Sequence, residues 1–315
     1  MRRLMPAALL LFALGARADE PPVQDWSKSI ETVVVTAHRP GPLMWHVRKG
    51  DAEIILLGLV EPLPKAQDWN KDGVREALKG AHALLLPPRA SANLFEVLWL
   101  LAWNSDALYL PGKTTMESTL PSDLRARFVA MRESIHGDAG RYSSLRPPLA
   151  ALRLEGDFLK ARGLAGEEPA ETLRHLAREA GVSSRFVADY PAIPMMKQLP
   201  TMPQAANEAC VRAALDDMDA VSVHAVPMAQ AWAAGDLDGM KSGFSEQRFE
   251  SCIQSMPSFA ALFQRAVNDS LGAANAALAK PGKTMMAVPL GALLRKGGLL
   301  DRLGAEGLTV EAPGT

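Results

Sequence analysis

Apolar and polar positions along this chain fall into three zones, with strand-like patterns near both ends and helical periodicity between them. In "LMWHVRKGDAEIILLGLV" positions 44–48 alternate, Lys49-Gly50-Asp51 supplies a turn, and the return run is almost wholly apolar. This predicts a hairpin whose second strand is covered on both faces. Gly58 ends the run, and Leu59, Val60, Glu61 and Pro62 follow. A helix over about 72–80 and a strand over 83–86, stopped by Pro87-Pro88, complete a strand–helix–strand alternation that argues for an α/β layer. At the far end, "KTMMAVPLGALLRKGGLLDRLGAEGLTVEAP" predicts a strand over 284–288, a loop, a helix over about 298–303 and a last strand over 308–311.

The middle, about 117–280, reads as a large helical insertion. "PSDLRARFVAMRESI", with Ser122 as its cap, "PPLAALRLEGDFLKARGL", "EPAETLRHLAREAGV" and "MPQAANEACVRAALDDMDAV" all repeat their apolar positions every three to four residues. "SSRFVADY" reads as a strand within it. Ahead of this block, "NLFEVLWLLAW" is apolar almost all round. It is too short to cross a bilayer and predicts a buried helix. The expected fold is therefore α/β, a mixed sheet built from N- and C-terminal strands around a helical insertion, over residues 43–315.

The N-terminus changes the picture of where the chain works. Arg2 and Arg3 precede an apolar run over 4–14, and Ala16 and Ala18 form a small-residue cleavage pattern. This is the arrangement of a secretory signal peptide, residues 1–18, cut after Ala18, and it predicts a periplasmic or secreted protein. The alternative is an ordinary N-terminal helix. In an oxidising compartment the chain's pair of cysteines, Cys210 and Cys252, is expected to form a disulfide. Two buried free thiols are the other reading. An extended leader, 19–42, contains the segment from Glu31 to Thr36, either an edge strand or tether of this fold or a strand offered to a partner's sheet. A net charge of -1, 6% aromatic residues and no basic cluster argue against nucleic-acid binding.

Several stretches in order resemble the TraB/GumN family: the "IILLGLVEPLP" strand and loop, "LRPPLAALRL" with "ARGL", "AWAAGDLDGM" ahead of a cysteine, and the C-terminal "AVPLGALLRKGG". The resemblance covers about 43–313 and implies an α/β scaffold with a helical insertion. Some relatives are metal-dependent proteases, and others belong to an erythromycin-esterase-like group. In the family the first strand ends in Gly-Thr-x-His; here Gly58, Leu59, Val60 and Glu61 hold those places. The next strand usually ends in a glutamate; here it runs into Leu86 and Pro87. A second histidine is expected near Ala292, and an acidic–arginine–asparagine motif before it is matched only by Gln264, Arg265 and Asn268. The resemblance thus implies a divergent member whose site has degenerated.

The residues themselves leave few candidates. Glu61, at a strand end, is the one candidate acid or base, and it needs a partner group within reach. Asp68 and Asp72 are near it in sequence only. A cleft of Gly58, Glu61, His46, Gly291 and Arg295 is expected, with His82 also near the predicted strands. Arg295 and Lys296 before the last helix could receive an anion, against the plainer reading of a glycine-rich turn. Glu133 with His136, and His175 with Glu179, read as exposed helical ion pairs rather than metal ligands. No nucleophile elbow or phosphate loop is present. The expectation is a cell-envelope protein that binds an envelope protein or peptide, without a cofactor and without a membrane span. The alternative is a divalent-metal-dependent hydrolase rebuilt around Glu61.

Overall fold

The computed structural model describes residues 41–65, 67–164, 169–243 and 248–313. The expected signal peptide, nearly all of the expected leader and the Glu31 to Thr36 segment lie outside them. Strands β1 (Met44–Lys49) and β2 (Ala52–Leu59) form the expected hairpin. They join β3 (Ala81–Leu86), β5 (Ser183–Phe186), β7 (Gly282–Pro289) and β8 (Thr309–Glu311) in a six-stranded sheet of order β5-β3-β7-β2-β1-β8. β5, β3, β7 and β2 run parallel, while β1 pairs antiparallel with both β2 and β8. This is the mixed α/β sheet expected from the two ends of the chain, with β5 added from the middle. β4 (Arg89–Ser91) and β6 (Asp189–Pro191) form a separate parallel pair.

The inner strands are apolar because both of their faces are covered. Ile54, Ile55, Leu56 and Leu57 point alternately to the two sides of β2, and all are buried. The helix Asp72–Leu78 packs against β3 and β7, Pro169–Glu179 against β3 and β5, and Pro257–Leu278 against β2.

A second core, with Phe128, Tyr142, Leu154 and Phe158 at its centre, fills the helical block. Helix Gln204–Ala234 links the two cores. Val211, Leu215 and Met218 lie in the helical core, and Met228 and Trp232 lie in the sheet core. It ends at Gly235, which takes the left-handed conformation (φ 69°) that glycine adopts without steric cost. Cys210 on this helix is bonded to Cys252 on helix Arg248–Gln254, with Cα atoms 5.3 Å apart, so the cysteine pair is the disulfide expected of it.

Two local expectations need correction. Ser122 is the first residue of helix Ser122–Glu133 rather than its cap; Pro121 holds the cap position and no side chain caps the helix. The apolar helix after β4, Leu94–Trp103, is not buried. Leu94, Phe95 and Trp103 are about three-quarters exposed (75%, 75% and 74%), and only Leu100 is fully covered. Its start is set by a capping box: the Asn93 side chain accepts from the Glu96 N–H at 2.9 Å, and the Glu96 carboxylate accepts from the Asn93 N–H at 2.8 Å. Local polar chemistry therefore fixes the helix, and little tertiary burial follows.

Candidate functional site at the strand ends

In open parallel sheets ligands bind beyond the carboxyl ends of the strands. Here β2, β3 and β7 end at Leu59, Leu86 and Pro289. Gly58 is the pivot. Its carbonyl accepts a buried hydrogen bond of 2.7 Å from the Trp232 indole N–H. A Cβ placed on Gly58 would stand 2.7 Å from Leu290 Cδ1 and 3.4 Å from Leu293 Cδ2 and the Trp45 ring. Leu290 and Leu293 are buried and come from the short helix Leu290–Leu294, which begins directly after β7. Trp232 in turn meets Trp69 edge-on, with ring centroids 5.2 Å apart. The crevice over Gly58 is thus filled with leucine and tryptophan.

The polar candidates lie around this filling or away from it. Glu61 is exposed, just past buried Val60, and its bond to Pro62 is cis. Gly291 sits half-buried in the first turn of helix Leu290–Leu294, so it and Gly58 are brought close, while Arg295 is exposed beyond that helix's end. Asp68 is bonded to Lys71 at 3.2 Å and to the Trp69 N–H at 2.9 Å; these contacts hold its carboxyl below the usual range. Asp72 pairs with Arg75 at 3.2 Å. The turn before the last helix, Leu299–Ala305, supplies its own anion: the Gly297 N–H donates to the Asp301 carboxylate at 2.7 Å. That carboxylate occupies the backbone N–H an incoming anion would use.

His46 does not join Gly58. It lies opposite Ile55 in the hairpin register, and side chains alternate along β2, so His46 projects from the face opposite to Gly58. Its Nδ1 meets the Glu53 carboxylate at 2.9 Å, and Glu53 also pairs with Arg48 at 3.0 Å. Arg48 continues to Glu311 on β8. Burial alone would raise the Glu53 carboxyl, but hydrogen bonds and charge from His46 and Arg48 outweigh it and lower it. These residues form a ladder across the β2, β1 and β8 edge.

His82 stands at the start of β3. Its ring would lie 2.1 Å from any Cβ on Gly282, the first residue of β7, so it belongs to the opposite end of the sheet from Gly58. His175 forms the expected helical pair with Glu179 at 3.2 Å. His136 leaves its helix in the left-handed region (φ 55°), and Glu133 lies 3.7 Å from Arg132. On helix Pro257–Leu278, Gln264 bonds Asn268 at 3.1 Å and Arg265 lies 3.7 Å from Asp269.

Of the positions where the family resemblance expects polar ligands, the two at the ends of β3 and β7 are apolar and packed, while Glu61, Gln264, Arg265 and Asn268 are exposed. Leu86 is fully buried, and Ala292 lies against the sheet core. A protein-bound divalent ion needs several N, O or S donors. Among the described residues no group of three or more His, Cys, Asp and Glu side chains is placed to hold one. The residues at the strand ends therefore do not fit a metal ion. Sequence reading missed Trp232 as the partner of Gly58, although it lies inside the "AWAAGDLDGM" stretch and had a signal there: a tryptophan just ahead of a helix-ending glycine.

The sheet, its crossover helices and the crevice at the strand ends define an α/β protein with a helical insertion. The family model of the TraB/PrgY/gumN family matches residues 43–312, and the chain belongs to that family. No curated protein and no solved structure matches it.

Proposed function

We propose that this member of the TraB/PrgY/gumN family acts by binding in the cell envelope, and that it lacks the metal-dependent hydrolysis of some relatives. One observation carries the reading: the place over Gly58 where a ligand set would stand is occupied by Leu290, Leu293 and Trp45. General acid–base or metal chemistry needs converging polar groups, and among the described residues no group of three or more His, Cys, Asp and Glu side chains converges to hold a metal ion. Export is supported by the signal-like N-terminus and by the Cys210–Cys252 disulfide, which suits an oxidising compartment. The partner expected under this reading is an envelope protein or peptide.

The test is calorimetric titration of chelator-stripped protein with zinc, manganese and cobalt. No stoichiometric heat is expected with any of them. Binding at micromolar affinity or better that disappears in Glu61→Ala would overturn the proposal and restore a rebuilt hydrolase site.

A further inference from the structure

We propose that helix Leu94–Trp103 seats this protein on the surface of a lipid bilayer, lying in the interface without crossing it. The helix carries Leu94, Phe95, Val97, Leu98, Trp99, Leu101 and Trp103 as exposed large apolar residues. At about 100° per residue they and Ala102 occupy an arc of about 240°, leaving only the side of Glu96 and Leu100 against the protein. The exposed surface is on the order of several hundred Å², and so large a patch on a soluble chain marks an interaction site. The helix is anchored from below by Leu100, Ala107 and Ile193, and it is held at its start by the Asn93–Glu96 capping box.

The width and chemistry of the arc select the occupant. A second copy packing helix on helix covers a stripe of about 100°, which leaves more than half of this arc wet. A protein partner brings roughly one hydrogen bond per 100–200 Å², and the side chains of this arc offer only two indole N–H donors to form them. Hydrocarbon asks for no polar partner and wraps a half-immersed helix from all open sides. Trp99 and Trp103 are residues that settle at the boundary between headgroups and acyl chains.

Lys197 lies with its ammonium 4.2 Å from the Trp99 ring centroid, placing a cation at the margin of the arc, suited to lipid phosphate. Two other charges near the base are already matched: Arg89 pairs with Asp189, and Glu96 is held in the cap. Attachment should therefore be driven by apolar burial more than by anionic lipid. Ten residues of helix span about 15 Å, half of a bilayer's hydrocarbon core. No described helix is long and apolar enough to cross a membrane, so the contact is interfacial.

The experiment is flotation of the full purified chain with vesicles of phosphatidylcholine alone and of phosphatidylcholine mixed with phosphatidylglycerol. Tryptophan fluorescence is recorded in parallel. The expected result is co-flotation with both compositions, a blue shift of the emission, and less than about threefold weakening at high salt. Phe95→Glu with Leu98→Glu should cut vesicle binding by about tenfold or more. Leu94→Gln with Trp103→Gln, which touches only highly exposed side chains, should weaken it in the same direction while circular dichroism stays unchanged. Absence of co-flotation by the folded chain, or binding that both double variants leave intact, would overturn the proposal. So would a dimer in sedimentation that these substitutions split while vesicles recruit nothing, because a second copy would then be the occupant.

Discussion

Strand β2, AEIILLGL, and helix Leu94–Trp103, LFEVLWLLAW, are both mostly apolar, and they meet opposite surroundings. Every residue of β2 except Glu53 is buried, down to the glycine whose missing side chain is filled by Leu290. The helix buries Leu100 and little else. Apolar composition records a demand for cover, and topology decides whether the chain supplies it. β2 has β7 on one side, β1 on the other and helices across its faces. The helix hangs from the small β4–β6 pair, where Ala192–Met196 is the one helix of five or more residues among its main neighbours.

The largest expected effect tests the covered region. Trp232→Ala removes a fully buried ring from the sheet core and orphans the Gly58 carbonyl. It should cost about 4 kcal/mol of unfolding free energy, read as a drop in the urea midpoint. Trp232→Phe keeps much of the volume but loses the N–H donor, and should cost about 1–2 kcal/mol. If Trp232→Ala were as mild as a surface change, the crevice over Gly58 would be loosely packed and the contrast with the exposed helix would fail.

Gly58→Ala comes next. The added methyl meets Leu290 Cδ1 at 2.7 Å in a buried position, and overpacking of this kind costs about 1–3 kcal/mol. Shortening Leu290 to Ala leaves a cavity when made alone, yet it should absorb part of the Gly58→Ala penalty when the two are combined. A double-mutant cycle should therefore return a favourable coupling of about 1 kcal/mol or more. Strict additivity would mean that Leu290 does not close the space over Gly58.

The covered part of this contrast was largely legible in the sequence, and the uncovered part was not. The return run of the hairpin, the strand over 284–288 and the cysteine pair all reappear as read. The side taken by His46 was hidden by a single residue. A three-residue turn of Lys49, Gly50 and Asp51 would set His46 opposite Ile54, on the face of Gly58. The actual loop is Gly50-Asp51, with Lys49 paired to Ala52 and Gly50 at φ 57°, and the shift moves His46 to the other face. Helix Leu94–Trp103 misled for a different reason. Its pattern is that of a buried helix, and periodicity carries no information about whether a neighbour arrives to cover it. Trp232 was a long-range contact, 174 residues from Gly58, beyond any local pattern.

Polar groups obey the same rule of cover. Glu155 on helix Pro147–Ala161 is largely withdrawn from water and faces Asp217; burial first, and the Asp217 charge second, push its carboxyl up to about 7. The folded state therefore holds this proton more tightly than the unfolded chain, whose carboxyl titrates near 4.5. The contribution of Glu155 to stability is full below the unfolded value and is lost as pH rises from there through about 7. Allowing for partial exposure, the loss is on the order of 2 kcal/mol. Glu155→Gln should flatten that slope, leaving the variant close to the parent at acid pH and more stable than it above neutrality, in urea titrations at a series of pH values. An unchanged slope would mean that Glu155 is solvated.

The smallest effect is the most diagnostic. Trp103→Gln and Leu94→Gln each remove a large apolar side chain from a helix of the same makeup as the core strand, and each should change the unfolding free energy by no more than about 0.5 kcal/mol. The helix keeps its capping box and its Leu100 anchor in both variants, and neither altered side chain is fully covered. A cost of several kcal/mol at Trp103 would show that the ring is covered in solution, by another part of the chain or by a second copy. A near-zero cost, set beside about 4 kcal/mol for Trp232, would separate the two tryptophans by role: one holds the strand-end crevice closed, and the other is kept at the surface at no benefit to the fold, which leaves an external surface as its reason for being apolar.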